Sequence, residues 1–163
     1  MSKLDVRIVR LEPMRVASIY GFGKEPEAQA YETLITWAEP RGLLDDPSKH
    51  RIFCFNNPHP SEGSPNYGYE FWITIEDDVE TEGDVKILDF DGGLYAVMRI
   101  VVRGKPWEEI PAGWKRLDAW IADSEHKPGS HQWLQEHVRT KDAVENKWTL
   151  HEHTLDLYYP IAE

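Results

Sequence analysis

Two carboxylates each stand two residues from an aromatic ring, in runs that alternate like β-strands. Glu70 and Trp72 share a parity in Tyr69–Ile75, and Asp156 and Tyr158 share one in Leu155–Ile161. Successive strand side chains point to opposite faces, so each acid projects the same way as its ring. The other parity is apolar: Tyr69, Phe71, Ile73 and Ile75 in one run, Leu155, Leu157, Tyr159 and Ile161 in the other. A ring beside a carboxylate suits a flat or cationic organic molecule. The ring supplies contact area and a cation–π attraction of about 0.5–2 kcal/mol, and the acid neutralises charge. Spacing alone fits a solvated sheet face as well. A further acid, Glu136, lies in Trp133-Leu-Gln-Glu-His137, after Gln135. Strand neighbours face opposite ways, so only one of Gln135 and Glu136 can join the other acids; an exposed edge glutamate is the plainer reading. Trp133, the ring near that acid, and Tyr20, at the end of the run Met14–Tyr20, complete a candidate ligand-binding set with Glu70, Trp72, Gln135, Glu136 and Tyr158.

Other chemistries find less support. His151 and His153 share a strand face, and His126, His131 and His137 cluster earlier, but the spacings match no zinc signature and no Cys pair accompanies them. No metal is expected, and no cofactor. Phosphate-binding glycine loops and nucleophile elbows are absent from the sequence. Cys54, the single cysteine, sits in Ile-Phe-Cys-Phe and reads as a small buried hydrophobe; it excludes an internal disulfide and fits a reducing compartment.

The elements that must position these residues come in two sets. Leu4–Leu11 alternates as a strand, Glu12-Pro13 interrupts it, Met14–Tyr20 resumes, and Gly21-Phe-Gly23 is expected to break the chain. Tyr31, Leu34, Ile35 and Ala38 give an amphipathic helix from about Glu27, stopped by Pro40 and Gly42. Strands follow at Arg51–Asn56 and Tyr67–Ile75, around a loop at Asn57–Asn66. After an acidic connector, Glu76–Asp84, the order returns. Strands at Val85–Phe90 and Leu94–Val102 precede a break at Gly104-Lys-Pro106. A helix from about Pro111 to Asp123, a strand at Gln132–Val138, a polar insertion at Arg139–Asn146 and a strand at His153–Ile161 complete it.

The return is a duplication. Asp5–Ile19 and Asp84–Met98 align without a gap at an offset of 79, with Asp5/Asp84, Val6/Val85, Ile8/Ile87 and Ala17/Ala96 among the pairs. Tyr31, Leu34 and Trp37 recur as Trp114, Leu117 and Trp120, and Tyr69–Ile75 recurs as Leu155–Ile161. Two units are too few for a solenoid. The expectation is one α+β domain over residues 1–163, with repeat 1 at about 4–76 and repeat 2 at about 84–161. It is a duplicated β-α-β-β module of antiparallel sheets with pseudo-twofold symmetry, helices on one face and a ligand cleft on the other.

Composition narrows the partners. The 163 residues carry 18 basic and 29 acidic side chains, a formal charge of −11, which argues against direct nucleic-acid binding and favours cationic small molecules. No stretch approaches a membrane span, and the N-terminus lacks a signal-like apolar core, so a cytoplasmic location is expected.

Gly92-Gly-Leu-Tyr-Ala-Val, the Trp114, Leu117, Trp120 helix, His131-Gln-Trp-Leu-Gln-Glu-His137, Tyr67-Gly-Tyr-Glu70 and the closing Leu155-Asp-Leu-Tyr-Tyr-Pro-Ile161 resemble the GyrI-like effector-binding domains, which also occur at the C-termini of AraC-type activators. The resemblance implies a hydrophobic cleft for bulky, often cationic aromatic compounds, with a glutamate of the next-to-last strand inside it. Carried over, that acid falls on Glu136 or on Gln135. Three roles follow from the resemblance: binding drug-like compounds in sequestration or sensing, hydrolysis of cyclopropane-bearing electrophiles with Glu136 as the acid, and inhibition of DNA gyrase. With the repeat beginning at the first residues, no helix-turn-helix is expected, and regulation would run through a protein partner.

Overall fold

A computed structural model describes residues 5–46, 49–56, 66–81, 83, 85–138 and 152–163. The expected loop Asn57–Asn66 apart from Asn66, the whole expected insertion Arg139–Asn146, Leu4, Asp84 and His151 lie outside the described residues. Eight strands and two helices follow in the order β1 (Val6–Leu11), β2 (Met14–Gly23), α1 (Pro26–Ala38), β3 (Ile52–Asn56), β4 (Tyr67–Thr74), β5 (Lys86–Phe90), β6 (Gly93–Arg103), α2 (Pro106–Ala122), β7 (Leu134–His137) and β8 (Glu152–Pro160). A single 3-10 turn, Glu39–Arg41, follows α1. This is an α+β fold in which a strand-strand-helix-strand-strand set occurs twice, with every pairing described below antiparallel.

The contacts gather into two compact units. The first is built on residues 14–90 and holds the strand order β3-β4-β2-β5; the second holds β7-β8-β6-β1. The orders are the same, position for position, with one consequence that local sequence does not show. The leading strand of each repeat pairs in the other repeat's unit: β1 lies on β6, with Val6 opposite Met98, and β5 lies on β2, with Lys86 opposite Ser18.

Each sheet has a helix on one face. In the first unit, Ala30, Leu34, Trp37 and Ala38 of α1 meet Ala17 and Ile19 of β2, Ile52 and Cys54 of β3, and Tyr69, Phe71 and Ile73 of β4. In the second, Leu117 and Ile121 of α2 meet Ala96, Met98, Ile100 and Val102 of β6 and Leu155, Leu157 and Tyr159 of β8. These are the apolar parities read from the sequence, buried as alternation requires.

Two boundaries need correction. The Gly21–Gly23 segment does not break the chain; β2 runs through it to Gly23. A Cβ on Gly21 would stand 2.9 Å from the Pro26 carbonyl and 3.2 Å from the Ala30 Cβ, so the glycine admits α1 against the strand. Helix α2 starts at Pro106 and not at Pro111. Pro106 takes the first-turn position where a missing N–H costs nothing, and Pro111 lies inside the helix. Glu109 finishes this N-terminus, its carboxylate accepting the backbone N–H groups of Arg103 and Lys105 at 2.8–3.0 Å.

Candidate functional site

Directly paired residues of antiparallel strands share a face, so the registers define what stands on the side of each sheet away from its helix. In the first unit one row is Tyr20, Glu70 and Phe55, and the next is Ser18, Trp72 and Phe53. In the second unit the matching rows are Arg99, Asp156 and Glu136, then Val97, Tyr158 and Leu134. The acid-and-ring pairs therefore occupy equivalent places, and their surroundings differ.

Glu70 and Trp72 are buried, at 9% and 6% exposure, where an open face was expected; Tyr20 beside them is half exposed. A carboxylate at that depth requires donors. Oε2 of Glu70 receives the Ser18 hydroxyl at 2.8 Å and the Trp72 indole N–H at 2.5 Å. These two hydrogen bonds fix the orientation of the carboxylate against the indole. The Trp72 ring lies edge-on to Phe55 with centroids 5.0 Å apart and tilted on Phe90 at 5.2 Å, contacts worth about 0.5–1.5 kcal/mol each beyond their area. Phe22, on the same face of β2 as Tyr20, is also exposed.

Asp156, equally deep, is held by cations. Arg99 grips it in two-pronged fashion at 2.9 and 3.2 Å, and Arg7 of β1 adds a contact at 3.2 Å. The Arg99 guanidinium is held charged more firmly than usual, chiefly by its hydrogen bond to Asp156, with smaller support from Glu136 and Tyr158. Glu136 accepts the Tyr158 phenol at 2.6 Å. Tyr158 packs edge-on to Tyr95, whose hydroxyl donates to the Gln132 carbonyl at 2.5 Å.

The register separates Gln135 from Glu136. Glu136 pairs with Asp156 on the helix-free face, and Gln135 pairs with Leu157 on the face toward α2. Trp133 also goes to the helix side, with its ring 4.2 Å from Tyr159 and 5.2 Å from Trp114. The seven candidates thus divide into Tyr20, Glu70 and Trp72 on the first helix-free face, Glu136 and Tyr158 on the second, and Gln135 and Trp133 behind it.

Ser18, Phe55, Phe90, Arg7 and Arg99 join these faces without having been singled out. Only Ser18, a polar residue inside an apolar strand, carried a local signal. Of the histidines, His131 bonds the Leu94 carbonyl at 2.7 Å through Nε2, and among the described residues no group of three or more His, Cys, Asp or Glu could hold a metal ion. Burial pushes the Cys54 thiol up to about 12, in keeping with an inert core residue. No helix among the described residues is long and apolar enough to cross a membrane.

Comparison with known proteins agrees with this architecture. The family model of the GyrI-like small molecule binding domain matches residues 4–159. No curated protein matches the chain. Among solved structures, the EcmrR C-terminal domain superposes with a TM-score of 0.68 at 13% identity, covering 99% of both chains. The chain spans 57% of EcmrR as seen in its DNA complex. A hydrolase from Listeria innocua gives a TM-score of 0.65 at 10% identity, over 99% of this chain and 94% of that one. SAV2435, solved bound to tetraphenylphosphonium, gives 0.51 at 10% identity, over 98% and 94%. At these identities the likeness is one of fold.

Proposed function

This chain belongs to the GyrI-like small molecule binding domain family, and on that premise we propose that it binds aromatic cations on the helix-free face of its first unit, in sequestration or sensing. The observation that carries this reading is Glu70, a buried carboxylate oriented by Ser18 and Trp72 beside the aromatic rings of Trp72, Phe55 and Phe90. A delocalised cation gains from both parts of such a face. Its charge meets the carboxylate, and its rings lie on aromatic surface, each cation–π contact adding about 0.5–2 kcal/mol. Half-exposed Tyr20 gives the face a rim from which a ligand enters. The tetraphenylphosphonium of SAV2435 is a ligand of this chemistry on a like fold.

The test is a titration of the protein with tetraphenylphosphonium, followed by tryptophan fluorescence and repeated with neutral triphenylphosphine oxide. Saturable quenching by the cation, with weaker binding of the neutral compound, is the expected result. Equal affinity for the two compounds, or no saturation by either, overturns the proposal.

A second reading attaches to the second unit. The Glu136 carboxylate and the Tyr158 phenol, 2.6 Å apart, form a pair able to activate water or to protonate a leaving carbon. Hydrolysis of a cyclopropane-bearing electrophile would use that pair, and the Listeria innocua hydrolase shares the fold. Product formation that Glu136→Gln abolishes supports this reading; a stable substrate in the presence of the wild-type protein removes it.

A further inference from the structure

The second sheet carries, on its helix side, rings that take no part in either helix-free face. Helix α2 lies low on this sheet because Gly113 has no side chain; a Cβ there would stand 3.0 Å from Leu157 Cδ1 and 3.1 Å from Ile100 Cγ2. Gly113 and Leu117 are buried, and the residue after each, Trp114 and Asp118, falls on one stripe a turn apart. Strand β7 brings Trp133 to the same place, because its register sets Leu134 opposite Tyr158 and so Trp133 beside Tyr159. The Trp133 ring centroid stands 4.2 Å from that of Tyr159 and 5.2 Å from that of Trp114. The Tyr159 phenol donates to Asp118 Oδ1 at 2.8 Å.

Shape and charge together select what this corner can hold. The Trp133 plane is inclined by 62° to Trp114 and by 60° to Tyr159. A rounded group set against inclined rings touches two ring faces at once, which a flat ligand cannot do. Trp133 is 40% exposed and Trp114 half-buried, so solvent reaches both indoles, while Tyr159 is buried. Asp118 is exposed. Burial, and then the hydrogen bond to Asp118, push the Tyr159 phenol up to about 12, so the phenol stays the donor and occupies one carboxylate oxygen. The other oxygen has no hydrogen bond among the described residues.

One free oxygen disfavours a guanidinium, whose fork is matched to both oxygens of a carboxylate. A primary ammonium is compact and strongly hydrated, and an exposed corner does not replace its water. A quaternary ammonium has no N–H to satisfy. It is rounded, its methyl groups lie against ring faces by cation–π attraction, and it needs only charge from Asp118. The overall charge of −11 draws cations to the surface. We propose that Trp133, Trp114 and Asp118 bind a quaternary ammonium head group on the helix side of the second sheet. The site shares no residue with the face proposed for aromatic cations, and it stands if that reading falls.

The probe is choline, titrated into protein carrying isotope-labelled tryptophan and followed by the indole N–H signals in NMR spectra. Its neutral tert-butyl analogue, with carbon in place of nitrogen, is titrated in parallel. Choline should move the Trp133 and Trp114 signals saturably, each signal being assigned by its loss in Trp133→Phe or Trp114→Phe. The neutral analogue should bind more weakly. Trp133→Leu should weaken choline by about two- to fivefold, the value of one exposed cation–π contact. Asp118→Asn keeps an acceptor for Tyr159 and should weaken choline by a similar factor at low salt, leaving the neutral analogue unchanged. Should Trp133→Leu fail to fold, Asp118→Asn, on the exposed side of α2, carries the test. A trimethyllysine peptide titrated alongside distinguishes a modified protein from a free compound as the carrier of the head group. No saturable movement of Trp133 by choline or the peptide overturns the proposal. So do equal affinities for choline and its neutral analogue, or an unchanged choline affinity in Asp118→Asn. Glu70→Gln should leave the Trp133 response in place; its loss there would assign the cation to the first unit and overturns the proposal too.

Discussion

Replacing Glu70 with Gln removes one negative charge and keeps the shape of the side chain. The amide oxygen can still accept from Ser18 and Trp72, and the side chain keeps its length, so the Trp72, Phe55 and Phe90 rings stay in place. A cation held about 5 Å from the carboxylate, in surroundings of effective dielectric near 20, gains roughly 3 kcal/mol of Coulomb energy. Loss of hydration offsets part of that, leaving a net effect of about 1–2 kcal/mol, or about 5- to 30-fold in affinity. Titration calorimetry should find tetraphenylphosphonium weakened by that factor. Triphenylphosphine oxide should shift by no more than about 0.5 kcal/mol, the level of an uninvolved substitution. Asp156→Asn is the control, because that carboxylate is already committed to Arg99 and Arg7; it should lower stability and leave cation affinity alone. Equal losses for the charged and neutral ligands in Glu70→Gln would mean that the side chain shapes the face without supplying charge, and the reasoning would fail.

Three further outcomes test the fold around these faces. Gly21→Ala should cost about 1–3 kcal/mol in denaturant unfolding, because its Cβ would meet the Pro26 carbonyl, backbone that cannot swing aside; an unchanged midpoint would show that α1 has room to move. Cys54 should resist a thiol reagent at pH 8 until the chain unfolds, since burial pushes its thiol up to about 12; stoichiometric labelling of the native protein would contradict its burial. The Glu109 carboxyl is held below the usual range by the N–H groups of Arg103 and then Lys105. Its contribution is therefore present above the unfolded value, about 4.3, and is lost as pH falls through the depressed folded one. Glu109→Gln should unfold earlier than wild type at pH 7, and the gap should close in acid below both values; a gap that persists there would assign it to packing.

Much of each half could be read locally. The period-2 alternation of Tyr69–Ile75 and Leu155–Ile161 separated core residues from the acid-and-ring parity, and helices and strands recur in the expected order. What could not be read was set by distant pairing. Asp156 pairs with Arg7 and Arg99, 149 and 57 residues away, while Glu70 in the equivalent place accepts from Ser18, 52 residues away. Nothing near either acid announces that difference. The choice between Gln135 and Glu136 likewise waited for the register of β7 on β8. Gly21 and Pro111 misled because each has two uses. A glycine ends a strand or admits a helix, and a proline opens a helix or sits inside one.

The exchange of leading strands bears on how the chain is made. Strand β1 leaves the ribosome before β6, and its partner Met98 follows about 90 residues later, a delay of roughly 5–18 s at ordinary translation speeds. Through that interval Val6, Ile8 and an unpaired strand edge stand open to other nascent chains, while β2, α1, β3 and β4 can already assemble. A growing polypeptide of this design needs either a chaperone on β1 or a sequence too charged there to aggregate; Asp5, Arg7 and Arg10, interleaved with those apolar side chains, supply the second.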